Sequence, residues 1–385
     1  MMGETIALGL QFGSRLCAVG RESSEFRKLD YEAVHINGDV LSSQLRQVSY
    51  LSPTAGRANE AFGLSALKRA TEGDCTRLIA SPRELLLARG SGGPLIGGRL
   101  PSEVASGVLN LVLRSAAPHP DVTLTDLWCA VPDGTSPEQQ RWLLDAVRNT
   151  EVGKGAQSIA GVPESAAAFI GCRGAEAVSE LTYALLCDWG WSGLRLALIA
   201  AHPPADGSGP AVRVLARRTL PMAGGAAIED DLIGCWIAAA EREGRSSSTD
   251  VSADEAWVQL EKDMSVYLAS SPGMNYEVEL DGAWRTFSLQ PCLNVLLDRH
   301  LSTLLEHAAS MACACGLVAA PLPNLYFVGG YAAAGAERAK AQGLDVTLPS
   351  CYRTAVACGA AAMAACAANM HAHEAWRVLE PTGCE

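Results

Sequence analysis

Two short segments carry the residues best suited to hold an anion. Gln11-Phe12-Gly13-Ser14 turns a strand-like run, Ile6 to Leu10, back into Cys17 to Val19. Asp188-Trp189-Gly190, continued by Trp191-Ser192-Gly193, turns Thr182 to Cys187 back into Leu194 to Ala200. A hairpin loop offers several backbone N–H groups to an anion, and two such loops facing each other across a cleft would clamp a polyphosphate. The glycine-rich stretch from Arg89 to Gly98 reads as a surface loop or a second cradle, but it lacks the Gly-Lys-Ser/Thr of a P-loop. Other chemistries drop out. Thirteen cysteines run from Cys17 to Cys384 without one Cys-x-x-Cys pair; the closest two are Cys313 and Cys315. Zinc-ribbon and thioredoxin-like spacings are therefore missing, and the thiols are expected to pack reduced, as small hydrophobes. His371 and His373 stand two apart, which does not share a helical face, and His300 and His307, a heptad apart, are expected at the surface. No metal site is expected.

The elements that must position these loops follow from hydrophobic periodicity. Strands are expected over Val48 to Ser52, Thr125 to Val131, Val212 to Leu220, Tyr276 to Leu280 and Asn324 to Val328, the last ending in Gly329-Gly330. Helices are expected over Ala61 to Ala70, from Leu100-Pro101-Ser102-Glu103 through the stripe Val104, Val108, Leu109, Leu111 and Val112, and from Ser165 onward. Ser136-Pro137-Glu138-Gln139 reads as a capping box opening a helix to about Asn149. Further helices are expected over Ile228 to Glu243, Glu255 to Ser270, Leu289 to Gly316 (one long or two short) and Thr354 to His373. One theme occurs twice, from Ile6 and from Thr182: a strand–turn–strand meander, then helices and closing strands. The class is α/β.

Composition bounds the function. At about 150 residues per domain, 385 residues suggest two or three domains. Hydrophobic residues make up 49% and charged ones 19%, against about 25% charged in an average domain, which excludes a mostly disordered chain. The net charge of −12, without a Lys/Arg cluster, argues against a nucleic-acid partner and against a polybasic membrane anchor. No secretory signal and no membrane span is expected. A thiol-rich chain without a pairing pattern points to a reducing intracellular compartment, cytoplasmic or organellar.

In their order and spacing, these segments resemble the nucleotide-binding domain of the DnaK-type heat shock protein 70 chaperones, over nearly the whole chain. Ile6 to Ser14 looks like the family's first phosphate loop, and Cys75-Thr76-Arg77-Leu78-Ile79 sits where the family has a Lys-Arg-Leu-Ile run. Leu100 to Val104, Ala130-Val131-Pro132 with Glu138 to Arg141, and Pro163 to Ala168 are similar to its next three motifs. Cys187 to Gly190 resembles the second phosphate loop, Gly224-Gly225 with Ile228 and Asp231 the start of the lid lobe, Phe327 to Gly330 the adenosine motif, and Ala355 to Ala361 the last connecting helix. The resemblance implies an actin-like ATPase fold: two lobes, each built on a mixed sheet with flanking helices, four subdomains around a central cleft. The first lobe would cover 1–180 with an insertion near 36–98, and the second 181–385 with an insertion near 223–298. The family's linker and peptide-binding domain have no counterpart in the sequence.

The same resemblance implies that catalysis is degenerate. The family's first-loop Asp is Gln11, which has no charge for magnesium. Its catalytic lysine position holds Thr76. Trp191 replaces a glycine of the second loop, and Arg195 stands in place of the second Asp; only Asp188 survives of the charged set. Gly13, Ser14, Asp188, Gly190, Gly193, Gly329 and Gly330 would contact a nucleotide if one binds. On the adenosine-clamping helix the alignment offers Lys262, Ser265, Val266 and Ala269, or Glu261 with a one-residue shift. Arg15 and Arg195 would either replace magnesium as counter-charge or pair with nearby acids. Glu164 is a mimic of the family's glutamate only if a swap with Pro163 is tolerated. The expectation is a scaffold or regulatory subunit of a larger protein assembly, not an enzyme and without a cofactor. The alternatives are a switch that binds ATP or ADP with little or no hydrolysis, and an active chaperone ATPase or a sugar or acetate kinase of the same fold class.

Overall fold

The computed structural model describes residues 5–23, 34–36, 39–41, 44–46, 49–51, 60–72, 75–90, 92–116, 123–173, 178–205, 209–242, 276–280, 283–287, 290–317, 323–368 and 376–379. The expected helix over Glu255 to Ser270, with Glu261, Lys262, Ser265, Val266 and Ala269, lies outside them, as do His371 and His373.

The chain begins with a hairpin, β1 (Thr5–Phe12) and β2 (Leu16–Ser23). Short strands follow: β3 (Val34–Ile36), β4 (Asp39–Leu41), β5 (Gln44–Arg46), β6 (Ser49–Tyr50) and β7 (Ala61–Phe62). Then come α1 (Leu64–Glu72), β8 (Leu78–Ile79), α2 (Pro82–Arg89), α3 (Pro101–Ala116) and β9 (Thr123–Val131). The first half closes with α4 (Pro137–Arg148), α5 (Glu151–Gly155), β10 (Ser158–Pro163) and α6 (Glu164–Arg173). The second half opens with β11 (Thr182–Trp189), β12 (Leu194–His202), β13 (Ala211–Leu220) and α7 (Gly225–Arg242). After the hairpin β14 (Tyr276–Leu280) and β15 (Ala283–Phe287) come α8 (Gln290–Ala314), β16 (Asn324–Val328), α9 (Ala332–Ala341), β17 (Val346–Thr347), α10 (Ala355–Ala367) and β18 (Arg377–Leu379).

Two mixed sheets share one plan. The first runs β10-β9-β1-β2-β5 and the second β17-β16-β11-β12-β13, with β18 added at the edge. In each, the opening strand lies in the middle. It pairs antiparallel with its hairpin partner on one side (Gln11 opposite Ala18; Asp188 opposite Arg195) and parallel with a later strand on the other (Gln11 beside Ala130; Asp188 beside Val328). The meander read twice from the sequence is thus present twice in space.

Both faces of each sheet are covered, so the central strands are apolar on both sides. On β1, Leu8 and Leu10 join the core under α3 and α4, while Ala7 meets Ala364 and Ala365 of α10. On β11, Leu185, Cys187 and Trp189 face α7, α8 and α9, while Ala184 and Leu186 face α6 and α10. A shared inner core containing Phe169, Ile199 and Ala360 fills the space between the sheets. The two inner helices fit because their contacts are glycine: a Cβ on Gly359 would stand 1.8 Å from the Ala167 carbonyl oxygen, and one on Gly171 would stand 1.9 Å from that of Ala355. Gly9 likewise lets α10 lie on β1, since a Cβ there would fall 2.0 Å from the Ala361 nitrogen.

Several expectations need revision. The helix expected from Ala61 starts at Leu64, because Ala61 and Phe62 pair with Tyr50 and Ser49 as a strand. Leu289 to Gly316 yields one helix, Gln290–Ala314. Helices α2 and α9 and strand β10 were not anticipated. His300 is buried, not at the surface, because it falls on the face of α8 that carries Leu293, Leu297 and Leu304. In the glycine-rich loop, Gly90 packs against the Trp142 ring, where a Cβ would meet it at 2.4 Å, so this glycine serves packing.

Candidate functional site

Both hairpin loops, the N-termini of α2, α6 and α7, and the turn after β16 meet at one end of the two sheets. α2 begins there because Ser81 caps it, accepting from the Glu84 amide, with Pro82 in the first turn. That start fixes Arg83, which is 1% exposed and reaches across the first loop. Its guanidinium donates to the Phe12 carbonyl at 3.0 Å, to Glu164 at 2.9 Å, to Glu84 at 2.8 Å and to the Ser14 hydroxyl.

Glu164 opens α6 and is likewise buried. Its second oxygen accepts from Arg195 of the second sheet at 3.1 Å, and Arg195 also donates to Asp188 at 3.2 Å and to the Ser192 hydroxyl at 3.1 Å. Ser192 is 2.6 Å from Ser14, so the two loops touch hydroxyl to hydroxyl. Beside this chain stands a second cluster. Glu229 of α7 pairs with Arg15 of the first loop, and accepts from the Trp191 indole N–H at 2.9 Å and from the Tyr331 hydroxyl at 2.9 Å. Three arginines and four carboxylates thus form buried or half-buried pairs at this end, of which Arg195–Glu164 and Arg15–Glu229 join the two halves.

Burial decides the electrostatics. Asp188 is pushed up to about 6, chiefly by burial, with Arg195 opposing and Glu164 adding to the rise. Burial would also raise Glu84, but Arg83, Ser14 and Arg195 outweigh it and hold the carboxyl below its ordinary value. Arg195 lies in burial that disfavours its charge, yet Glu164, Asp188 and Glu84 hold it more basic than usual. Burial pushes the Cys129 thiol up to about 12 and raises Cys17, Cys172 and Cys187. Cys17, Cys129, Cys187 and Cys358 are free and buried, packed as small hydrophobes, whereas Cys313 is free and exposed.

The backbone donors expected to cradle an anion are turned inward. Gly13 N–H donates to Leu16 O at 3.1 Å, Gly190 N–H to Gly193 O at 3.1 Å, and Gly329 N–H to Tyr352 O at 2.9 Å. The first amides of α7, those of Gly225 and Ala226, bind the carbonyls of Gly190 and Trp191 at 2.9 and 2.8 Å. Gly329, with φ +98°, must lack a side chain: a Cβ would stand 2.6 Å from Asp188 Oδ1. What remains between the loops is a cavity of about 50 Å³, walled by Gln11, Glu164, Asp188, Trp191 and Arg195 and floored by Gly329-Gly330. Pockets that take organic ligands run from about 300 Å³, and this cavity is far smaller. Its carboxylates are already neutralised by arginine, a poor donor set for magnesium, which seeks free oxygen ligands.

The structure brings Gln11, Gly13, Ser14, Asp188, Gly190, Arg195, Gly329 and Gly330 together around this cavity, with Gly193 in the turn that carries Ser192. Thr76 is exposed in a short 3-10 turn, Cys75–Arg77, and does not line it. The cation that reaches the first loop from this part of the chain is Arg83, seven residues later. Sequence reading missed Arg83, Glu84, Glu229 and Tyr331; Ser81-x-x-Glu84 with Pro82 is a capping signal that would have located the first two. Arg15 and Arg195 both pair with acids. Among the described residues no cluster of His, Cys, Asp and Glu fits a metal ion, and no helix is long and apolar enough to cross a membrane. A scan of the chain against protein-family models gives no match, and a search of curated proteins gives none either.

Proposed function

We propose that this chain is a degenerate relative of the heat shock protein 70 nucleotide-binding domain, with an actin-like ATPase fold, acting as a non-hydrolysing scaffold or regulatory subunit in a protein assembly. The duplicated sheet plan, with the opening strand central in each, supports the fold. The observation that carries the function is the ion-pair network itself. Arg83, Arg195 and Arg15 stand between the two loops and are matched there by Glu164, Asp188, Glu84 and Glu229. Phosphoryl transfer relies on positioning and on charge neutralisation by a metal; here the neutralising cations are covalently part of the chain.

Isothermal titration with ATP and ADP, with and without magnesium, tests this. The expected result is no heat of binding and a melting midpoint indifferent to nucleotide. Micromolar, magnesium-dependent binding would overturn it. One observation favours the second reading, a nucleotide-responsive switch: the contacts between the two loops are polar, and polar pairs part without exposing apolar surface. A nucleotide that raises the melting midpoint without turnover would select that reading.

A further inference from the structure

At the end of the second sheet away from the loops, three strands place basic residues on one face. Ala201, Val212 and Val378 turn inward to the core shared by the two sheets, so their neighbours His202, Arg213 and Arg377 project from the outer face. The register sets them around one small residue. Ala211 of β13 pairs with His202 of β12 on one side and with Arg377 of β18 on the other, and Arg213 follows two residues along the same face. With strands about 4.8 Å apart and a rise of about 3.4 Å per residue, the three side chains start roughly 5–7 Å from Ala211, on three sides of it. Ala211 is 2% exposed and gives this spot an apolar floor.

Two of the three groups lack what burial demands. Arg213 Nε and His202 Nε2 are shut off from water, yet neither has a hydrogen-bond partner among the described residues. The ion pairs of the described residues include none of the three side chains. Leaving a buried donor unsatisfied is costly, and such a group in a native protein calls for a water or an ion. Two arginines and a histidine with no described acid among them, in a chain of net charge −12, select an anion.

We infer that His202, Arg213 and Arg377 form a binding site for a phosphate group, either as the free ion or as the end group of a phosphomonoester. The planar guanidinium fork matches phosphate oxygens in pairs. Donors arriving from three strands suit a tetrahedral ion better than a flat carboxylate. Arg377 is exposed, so the solvent side stays open and the fourth oxygen can carry an ester. The site lies at the opposite end of the sheet from the two loops and does not depend on the scaffold reading.

NMR on the full chain, with isotope-labelled arginine side chains and inorganic phosphate as the probe, tests it. The Arg213 Nε–H signal, assigned by its loss in Arg213→Lys, should shift and saturate in the millimolar range or tighter. In phosphorus spectra the same titration should broaden the phosphate line. Arg213→Gln and Arg377→Glu should each weaken that binding by about tenfold; the second, at an exposed position, keeps the test informative if the first fails to fold. Acetate should bind the wild type at least about tenfold more weakly than phosphate. Tighter binding of O-phosphoserine than of phosphate would assign the site to an ester end group, and the reverse order to the free ion. An Arg213 signal that phosphate leaves unmoved, unchanged binding by a folded Arg377→Glu, or acetate binding equal to phosphate would each overturn the inference. Phosphate that moves the Arg15 or Arg195 signals instead would overturn it and also count against the scaffold reading. A nucleotide-dependent melting midpoint, with phosphate still seated at Arg213, would sink the scaffold reading alone.

Discussion

Two regions join the halves of this molecule by opposite means. The inner seam, α6 against α10, uses glycine and alanine at backbone distance, without a charge. The loop end uses arginines and carboxylates, with glycine backbone turned in on itself. The seam separates only by exposing a continuous apolar core, whereas the loop end separates by trading ion pairs for water. Buried ion pairs add little net stability over apolar packing, but losing one partner is costly. The seam therefore holds the halves together, and the network determines which arrangement of the loops is allowed.

The comparison breaks most visibly at the seam. Gly359→Val should cost more than about 4 kcal/mol, because two helix backbones must part; a folded variant with a near wild-type urea midpoint would show that the seam gives way easily. Next comes Glu164→Gln, which leaves Arg83 and Arg195 short of a carboxylate. Urea denaturation should show a loss of about 3–5 kcal/mol. Replacing Arg83, Glu164 and Arg195 together by Met, Leu and Met, with Glu84→Gln and Asp188→Asn so that no carboxylate is left without its arginine, should recover most of it.

The third test is pH. Asp188 has a folded value of about 6 against about 3.9 in the unfolded chain. The folded state thus binds the proton more tightly. Its contribution is fully present below about pH 4 and is lost as pH rises through about 6, on the order of 2–3 kcal/mol. Asp133, also raised by burial, has the same sign; Glu84, held low, has the opposite sign and acts as pH falls through its own lowered value. Denaturant midpoints across this window should slope downward in the wild type and flatten in Asp188→Asn. The smallest effect belongs to Thr76→Lys, at an exposed site: stability should move by less than about 0.5 kcal/mol, and no ATP turnover should appear in a phosphate-release assay. Turnover in that variant would mean that position 76 reaches the loops after all.

Much of the fold was readable because it rests on local periodicity. The hairpins around Gly13 and Gly190, the capped helix after Ser136 and the strand Asn324 to Val328 all announce themselves within a few residues. Less was readable of the site. Gln11, Asp188 and Arg195 were found because they lie in the loops, but their partners come from elsewhere: Arg83 is 71 residues from Phe12 and Tyr331 is 102 from Glu229. Pairing across such separations leaves no periodic trace. His300 misled for a related reason: its type suggested surface, and the apolar stripe of α8 outweighed it.

The placement of α10 bears on how the chain is made. This helix comes from the far end of the sequence, yet it covers the inner face of the opening strand, over Ala7 and Gly9 and beside Trp128. During vectorial synthesis the first sheet can finish its outer side early, while the inner face of its opening strand, over Ala7 and Gly9, stays bare until the ribosome has passed residue 367. Contacts that span so much sequence slow folding, and apolar surface exposed meanwhile invites aggregation. The nascent chain is thus most vulnerable from the completion of its first half, at Arg173, until Ala367 has been added, when one half exists and the helix that seals it does not.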